Sequence, residues 1–241
     1  MELQLTSLKD ARKKFAQLCE QLTEAEKNHV HNSAEESLAT TIAAMNQFFD
    51  IAKGVDKRHA NFVANDITDI GEHGLSILEK LIYQAGENQS LVEQNSLQEL
   101  SLVIADWVIK HDGHINILEP IVDALAQLAN ALKEPEELIA LADFMGQIAD
   151  ACSDSIKQDI EITNMHRPWR ILNINRGIVS TRTHHPDTMR QVFSDLIKAL
   201  PMDAPGFFKE GMSEMVRLNY PQHVRDIMQE YFDQTDMPQI H

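Results

Sequence analysis

The sequence predicts an all-α protein of about nine or ten helices packed as antiparallel pairs, on three observations. Gly (9) and Pro (8) make up about 7% of the 241 residues, against roughly 12% in average usage, and the first Pro falls only at position 120. Apolar residues recur at spacings of three and four nearly from end to end. Beyond position 112, prolines precede or open successive apolar runs, as expected of Pro in a helical first turn.

The first helix is read over Leu5–Glu24, with Phe15, Leu18 and Leu22 on one stripe. Ser33 and Glu36 have the spacing of a capping box, opening a helix that carries Leu38, Ile42, Met45 and Phe49. A third helix is expected from about Asn61 to Ala85, with Ile67, Ile70, Leu75, Leu78 and Leu81 as its apolar positions. Gly71 and Gly74 at its centre suit a close helix crossing. Ser96 and Glu99 repeat the capping-box spacing and are read as the start of a helix over Leu97–Lys110. That helix is apolar around most of its circumference, with Leu100, Leu102, Val103, Ile104, Trp107, Val108 and Ile109, so it is expected to be surrounded by others.

The loop His111–His114 marks a change of style. Pro120, Pro135, Pro168, Pro186 and Pro221 then punctuate shorter helices with short connections. Two of these share a pattern at a 20-residue offset, Asp123, Gln127 and Asn130 against Asp143, Gln147 and Asp150, each set on a polar face. The offset fits an α-solenoid with HEAT- or TPR-like stacking, and an irregular helical bundle is the other arrangement the pattern allows. None of the repeat families' consensus residues is present. The chain is read as a single domain over 1–241. The alternative division has a long-helix region over residues 1–112 and a short-helix region over residues 113–241.

Charge lies unevenly. Residues 1–60 hold 9 acids and 8 bases, 61–161 hold 19 and 4, and 162–241 hold 9 and 9. A net charge of −16 argues against nucleic acid as a partner, because phosphate affinity comes from Lys and Arg, and against anionic membrane surfaces. Basic proteins or cations are what this field steers inward. Cys19 and Cys152 are too few for a disulfide framework. With no apolar leader and no run of membrane-spanning length, the chain is read as soluble and cytoplasmic.

The sharpest local feature is residues 163–186. They contain Arg167, Arg170, Arg176, Arg182, His166, His184 and His185, with no acid between Glu161 and Asp187. A helix opened by Pro168 is expected to bury Ile171, Leu172, Ile174, Ile178 and Val179. Arg170 and Arg176 then flank that face, Asn175 sits within it, and Asn173, Gly177 and Ser180 lie opposite. Guanidinium forks bind carboxylates and phosphates, so Arg167, Arg170, Arg176, Arg182, His184 and His185 form a candidate anion site. The competing reading pairs these Arg residues with the acidic helices of 61–161 as an internal electrostatic seam.

Other chemistry has less to rest on. Glu26 with His29, Asp56 with His59, and Asp66 and Asp69 with His73 have ligand-like spacing, but a di-iron bundle needs two Glu-x-x-His elements plus two further Glu. No metal site is assigned. There is no nucleophile elbow and no phosphate-cradling Gly-rich loop, so no catalytic residue and no cofactor is assigned. The Met and aromatic residues from Phe207 to Phe232 suit either core or a peptide groove. The resulting expectation is a non-catalytic helical module that docks a protein or peptide. The alternative is a small-anion or phosphate-ligand-binding protein or enzyme using segment 166–185. Nothing in the sequence specifies an oligomeric state.

Overall fold

A computed structural model describes residues 3–28, 37–57 and 62–236. The chain is all-α. Among the described residues it forms eleven helices and no named strand: α1 (Leu8–Asn28), α2 (Leu38–Lys57), α3 (Ala64–Glu87), α4 (Leu91–Lys110), α5 (Glu119–Ala131), α6 (Pro135–Ala151), α7 (Asp154–Lys157), α8 (Pro168–Arg182), α9 (Pro186–Ala199), α10 (Ala204–Arg217) and α11 (Gln222–Asp236). Pro135, Pro168 and Pro186 each occupy the first position of a helix, where the missing N–H breaks no bond.

Two helices start at other residues than their capping spacings predict. Ser33 and Glu36 lie outside the described residues, and the observed start of α2 is capped by Ser37, whose Oγ accepts from Thr40 N at 3.3 Å. Ser96 and Glu99 do not open a helix. α4 begins at Leu91, and Ser96 sits inside it with its hydroxyl donated to the Val92 carbonyl at 2.9 Å. The Ser-x-x-Glu spacing fits a helix interior once the hydroxyl bonds back to the preceding turn. In α3 the N-cap position is Val63, whose N–H donates at 3.1 Å to the carboxylate of Asp66 in the first turn.

The helices fall into two compact units. One comprises 4–127 with 150–156, and the other 1–3, 128–149 and 157–241. In the first unit α1 packs beside α2 and α4, α2 beside α3, and α3 beside α4, so the four helices close a ring. Such a four-helix bundle buries one inward face of every helix. The core between them holds Phe15, Met45, Phe48, Leu75, Leu78, Leu81, Leu97 and Ile104. Phe48 meets Phe49 and Trp107 edge-on at 5.6 and 6.1 Å between ring centroids. This unit carries 21 acidic against 10 basic residues, a net of −11 out of −16.

Glycine sets how closely α3 approaches its neighbours. A Cβ on Gly74 would stand 2.6 Å from two ring carbons of Phe48, and one on Gly71 would collide with Val108 Cγ2. Gly74→Val is expected to lower stability by about 1–3 kcal/mol through overpacking, read as a lower urea midpoint with the slope unchanged. An unchanged or raised midpoint would mean that Phe48 has room to turn.

In the second unit α8 packs beside α9, α9 beside α11, and α10 beside α11. Its core joins Met189, Phe193 and Leu196 of α9 to Phe208 and Met215 of α10 and Val224, Ile227, Met228 and Tyr231 of α11. Phe207, Met212, Tyr220 and Phe232 pack against that cluster half-buried, while Leu218 stays 52% exposed. The Met- and aromatic-rich C-terminal segment is therefore core. The Tyr231 hydroxyl, at the cluster's edge, is 2.8 Å from the Arg190 carbonyl and 2.8 Å from Ser194 Oγ.

Candidate functional site

The arginine-bearing segment belongs to the second unit, and α8 is its frame. Pro168 opens the helix directly after Arg167, whose backbone is extended. The expected wheel is only partly observed. Leu172 and Val179 are buried, but Ile178 is 47% exposed, whereas Asn173, Gly177 and Ser180 on the supposed polar face are buried. These small residues lose little by burial because their polar groups bond to their own helix. Asn173 Nδ2 donates to the Trp169 carbonyl at 2.9 Å, and Ser180 and Thr181 donate to the Gly177 carbonyl at 2.8 and 2.9 Å. Gly177 also admits a close neighbour, since a Cβ there would stand 2.7 Å from Phe207 Cζ. Asn175 is half-buried.

Arg167 is the hub. Only 3% exposed, it donates through Nε and Nη2 to the two carboxylate oxygens of Asp159 at 2.5 and 2.9 Å. Nη2 also reaches Asp203 Oδ2 at 2.5 Å, and Nη1 donates to the carbonyls of Ile162 and Asn164 at 3.2 and 3.0 Å. Arg170 completes the group, with Nε on Asp203 Oδ1 at 2.7 Å and Nη1 on the Met165 carbonyl at 3.1 Å. Burial pushes the Asp203 carboxyl up, but the two guanidiniums overcome this and hold it below the usual carboxylate value.

Arg176 and Arg182 work elsewhere. Arg176 Nε donates to the Ala142 carbonyl of α6 at 3.0 Å and Nη1 pairs with Asp195 at 3.2 Å. It lies flat on α6 because Gly146 has no side chain there: a Cβ would meet its Nη2 at 2.6 Å. Arg182 donates to the Ala129 and Leu132 carbonyls at 2.6 and 2.7 Å. That puts a cation on the free carbonyls at the C-terminal end of α5, where the helix dipole favours it.

The two histidines shape turns. His184 takes the left-handed conformation (φ 54°) after α8, its ring stacked edge-on with Tyr220 at 5.1 Å and its carbonyl 3.1 Å from His223 Nε2. Burial, and then the neighbouring His223, hold its imidazole below the ordinary value. His185 caps α9, its Nδ1 accepting from Thr188 N at 3.4 Å.

The six candidate residues thus divide among separate partners: Arg167 and Arg170 share Asp203, Arg176 holds Asp195 and α6, Arg182 holds the end of α5, and the histidines form a turn and a cap. Asp203, Asp195 and Asp159 are absent from the candidates that the sequence offers. The seam reading seeks its counterparts in the acidic helices of 61–161, yet of these three only Asp159 comes from that region. Asp203 carries a signal, since Asp before Ala-Pro has the form of a helix cap, and it stands at that position of α10.

The remaining ligand-like spacings do not converge. His29 and His59 lie outside the described residues, and Asp66, Asp69 and His73 are exposed along α3. Among the described residues no group of three or more His, Cys, Asp or Glu side chains is arranged to hold a metal ion. His111 is more than a loop residue: its Nδ1 is 2.8 Å from the Trp107 carbonyl and its Nε2 is 3.3 Å from Asp56 Oδ1, which also accepts from Trp107 Nε1 at 2.9 Å. Cys152 is buried, and burial pushes the Cys19 thiol up to about 11. Asp123, Asp143, Gln147 and Asp150 of the paired polar faces are exposed, and Gln127 is half-buried. Among the described residues no helix is long and apolar enough to cross a membrane. No protein-family model, curated protein or solved structure matches the chain.

Proposed function

We propose that this protein is a non-catalytic helical module that docks another protein or a peptide. The observation that supports it is the segment gathered by Arg167 and Arg170. Their guanidiniums hold the backbone carbonyls of Ile162 and Met165. The side chains of Ile160, Ile162 and Met165 are 81, 53 and 53% exposed, and that of Met202, next to Asp203, is 78% exposed. Apolar side chains displayed on a fixed backbone lose little ordering entropy when a partner covers them.

A photoreactive residue at position 160 or 202 of the full chain is expected to crosslink a discrete protein or peptide partner, and one at the exposed Asp143 of α6 is not. Equal crosslinking at all three positions, together with turnover of a small molecule by the purified protein, would contradict the reading.

The anion-site alternative predicts that phosphate-bearing ligands raise the melting temperature and that Arg170→Ala with Arg176→Ala abolishes the rise. The docking reading predicts no such rise, because the guanidinium donors already face carboxylates and carbonyls. A melting-temperature screen with inorganic phosphate and nucleotides checks this.

A further inference from the structure

We propose that the tip of the α3–α4 hairpin is a docking surface for a positively charged segment that carries an apolar anchor. This deepens the docking reading and rests on it. The turn is tightly fixed: Asn88 N, Gln89 N and Ser90 N donate to the carbonyls of Gln84, Gly86 and Ala85 at 3.2, 2.9 and 2.9 Å. Gln89 takes φ 55° at its apex. Leu91 and Val92, which begin α4, are nevertheless 68 and 73% exposed, and Tyr83, one turn before the end of α3, is 56% exposed. A helix start that displays two adjacent aliphatic side chains has an apolar face without a partner in its own fold.

Charge selects the occupant. Tyr83 stands at i+4 from Glu79 and i−4 from Glu87, so an acid lies one turn away on either side of it. From position 79 to 99 there are four acids and one base. Burial, and then the charge of Glu119, hold the Glu79 carboxyl above the ordinary value, so a Lys or Arg brought beside Tyr83 relieves an acid one turn away and has the face of the ring to rest on. An anionic or purely apolar partner has no such match.

The test is fluorescence anisotropy of a labelled helical peptide with Lys on one face and Leu on the other, titrated with the full chain at low and high salt. Leu91→Ser with Val92→Ser is expected to weaken binding at least about tenfold, the loss of two anchoring side chains. Glu87→Gln with Glu93→Gln is expected to weaken it and to flatten the salt dependence. Asp69→Asn with Asp112→Asn removes the same charge at exposed positions toward the opposite end of the hairpin and is expected to change affinity less than twofold, as a rough bound. No binding at low salt, an unchanged affinity in the Leu91 and Val92 variant, or equal weakening by the remote pair would overturn the proposal. A partner crosslinked at position 160 while the peptide fails to bind would leave the docking reading standing and remove this surface. Peptide binding lost in the Leu91 and Val92 variant would support this surface whatever happens at position 160.

Discussion

Arg167→Met is expected to destabilise the second unit by about 3–5 kcal/mol at neutral pH, the range for removing one partner from a buried ionic group. The Asp159 and Asp203 side chains are only 12 and 11% exposed, and without Arg167 the first loses both of its guanidinium bonds while the second keeps Arg170 alone. Arg167→Lys should recover little, since one ammonium cannot supply the fork that meets both oxygens of Asp159 and also Asp203. Arg167→Met with Asp159→Asn should recover some of the loss, because the stranded charge is then gone. The acid dependence has a definite sign. Asp203 has a lowered carboxyl value in the folded chain, so its contribution is fully present above the ordinary carboxylate range near pH 4 and is lost as pH falls through the folded value. Urea unfolding at pH 7 and pH 3 should show the wild type losing more stability on acidification than Arg167→Met. A neutral-pH loss under about 1 kcal/mol would place this group with exposed ion pairs.

Phe193→Ala is the second large effect, at about 3–5 kcal/mol for a fully buried aromatic truncated to a methyl group. Phe193 is 0% exposed and meets Phe207, Phe208 and Tyr231 edge-on at centroid distances of 5.9, 5.1 and 5.3 Å, so three rings from α10 and α11 lose a common contact. Unfolding monitored by circular dichroism should show the midpoint falling with the folded spectrum kept. A stability change near zero, joined to loss of peptide binding, would restore the groove reading for these residues.

The helices are largely readable because their signals are local. Pro168 and Pro186 fix first turns, and Phe15, Leu18 and Leu22 mark a buried stripe that the bundle core confirms. The Ser96 signal misleads because a capping spacing is equally comfortable inside a helix, and the exposed Leu91 and Val92 blur the apolar period that would move the start. The buried face of α8 departs from its wheel for a related reason. Hydropathy treats Asn173, Ser180 and Thr181 as solvent-seeking, yet each spends its polar group on its own helix and can be packed like Ala.

The arginine segment is visible in the sequence as charge, but its partners are not. Asp203 is 36 residues from Arg167, and Arg182 ends on carbonyls 50 and 53 positions away. Backbone carbonyls carry no signature in a sequence. Pairings of that range follow from which helices pack together, not from neighbouring residues.

Arg167, Arg170, Arg176 and Arg182 all donate to carboxylates or carbonyls of this chain, and under the proposed docking function they take no ligand. The most direct measurement is the set of guanidinium Nε–H resonances of the full chain, assigned by single Arg→Lys variants and followed by NMR as inorganic phosphate is added. Arg167 and Arg176 are expected to give dispersed, slowly exchanging signals that phosphate leaves in place. Signals that exchange with water as fast as an exposed arginine, and move together on a common phosphate titration curve, would contradict it.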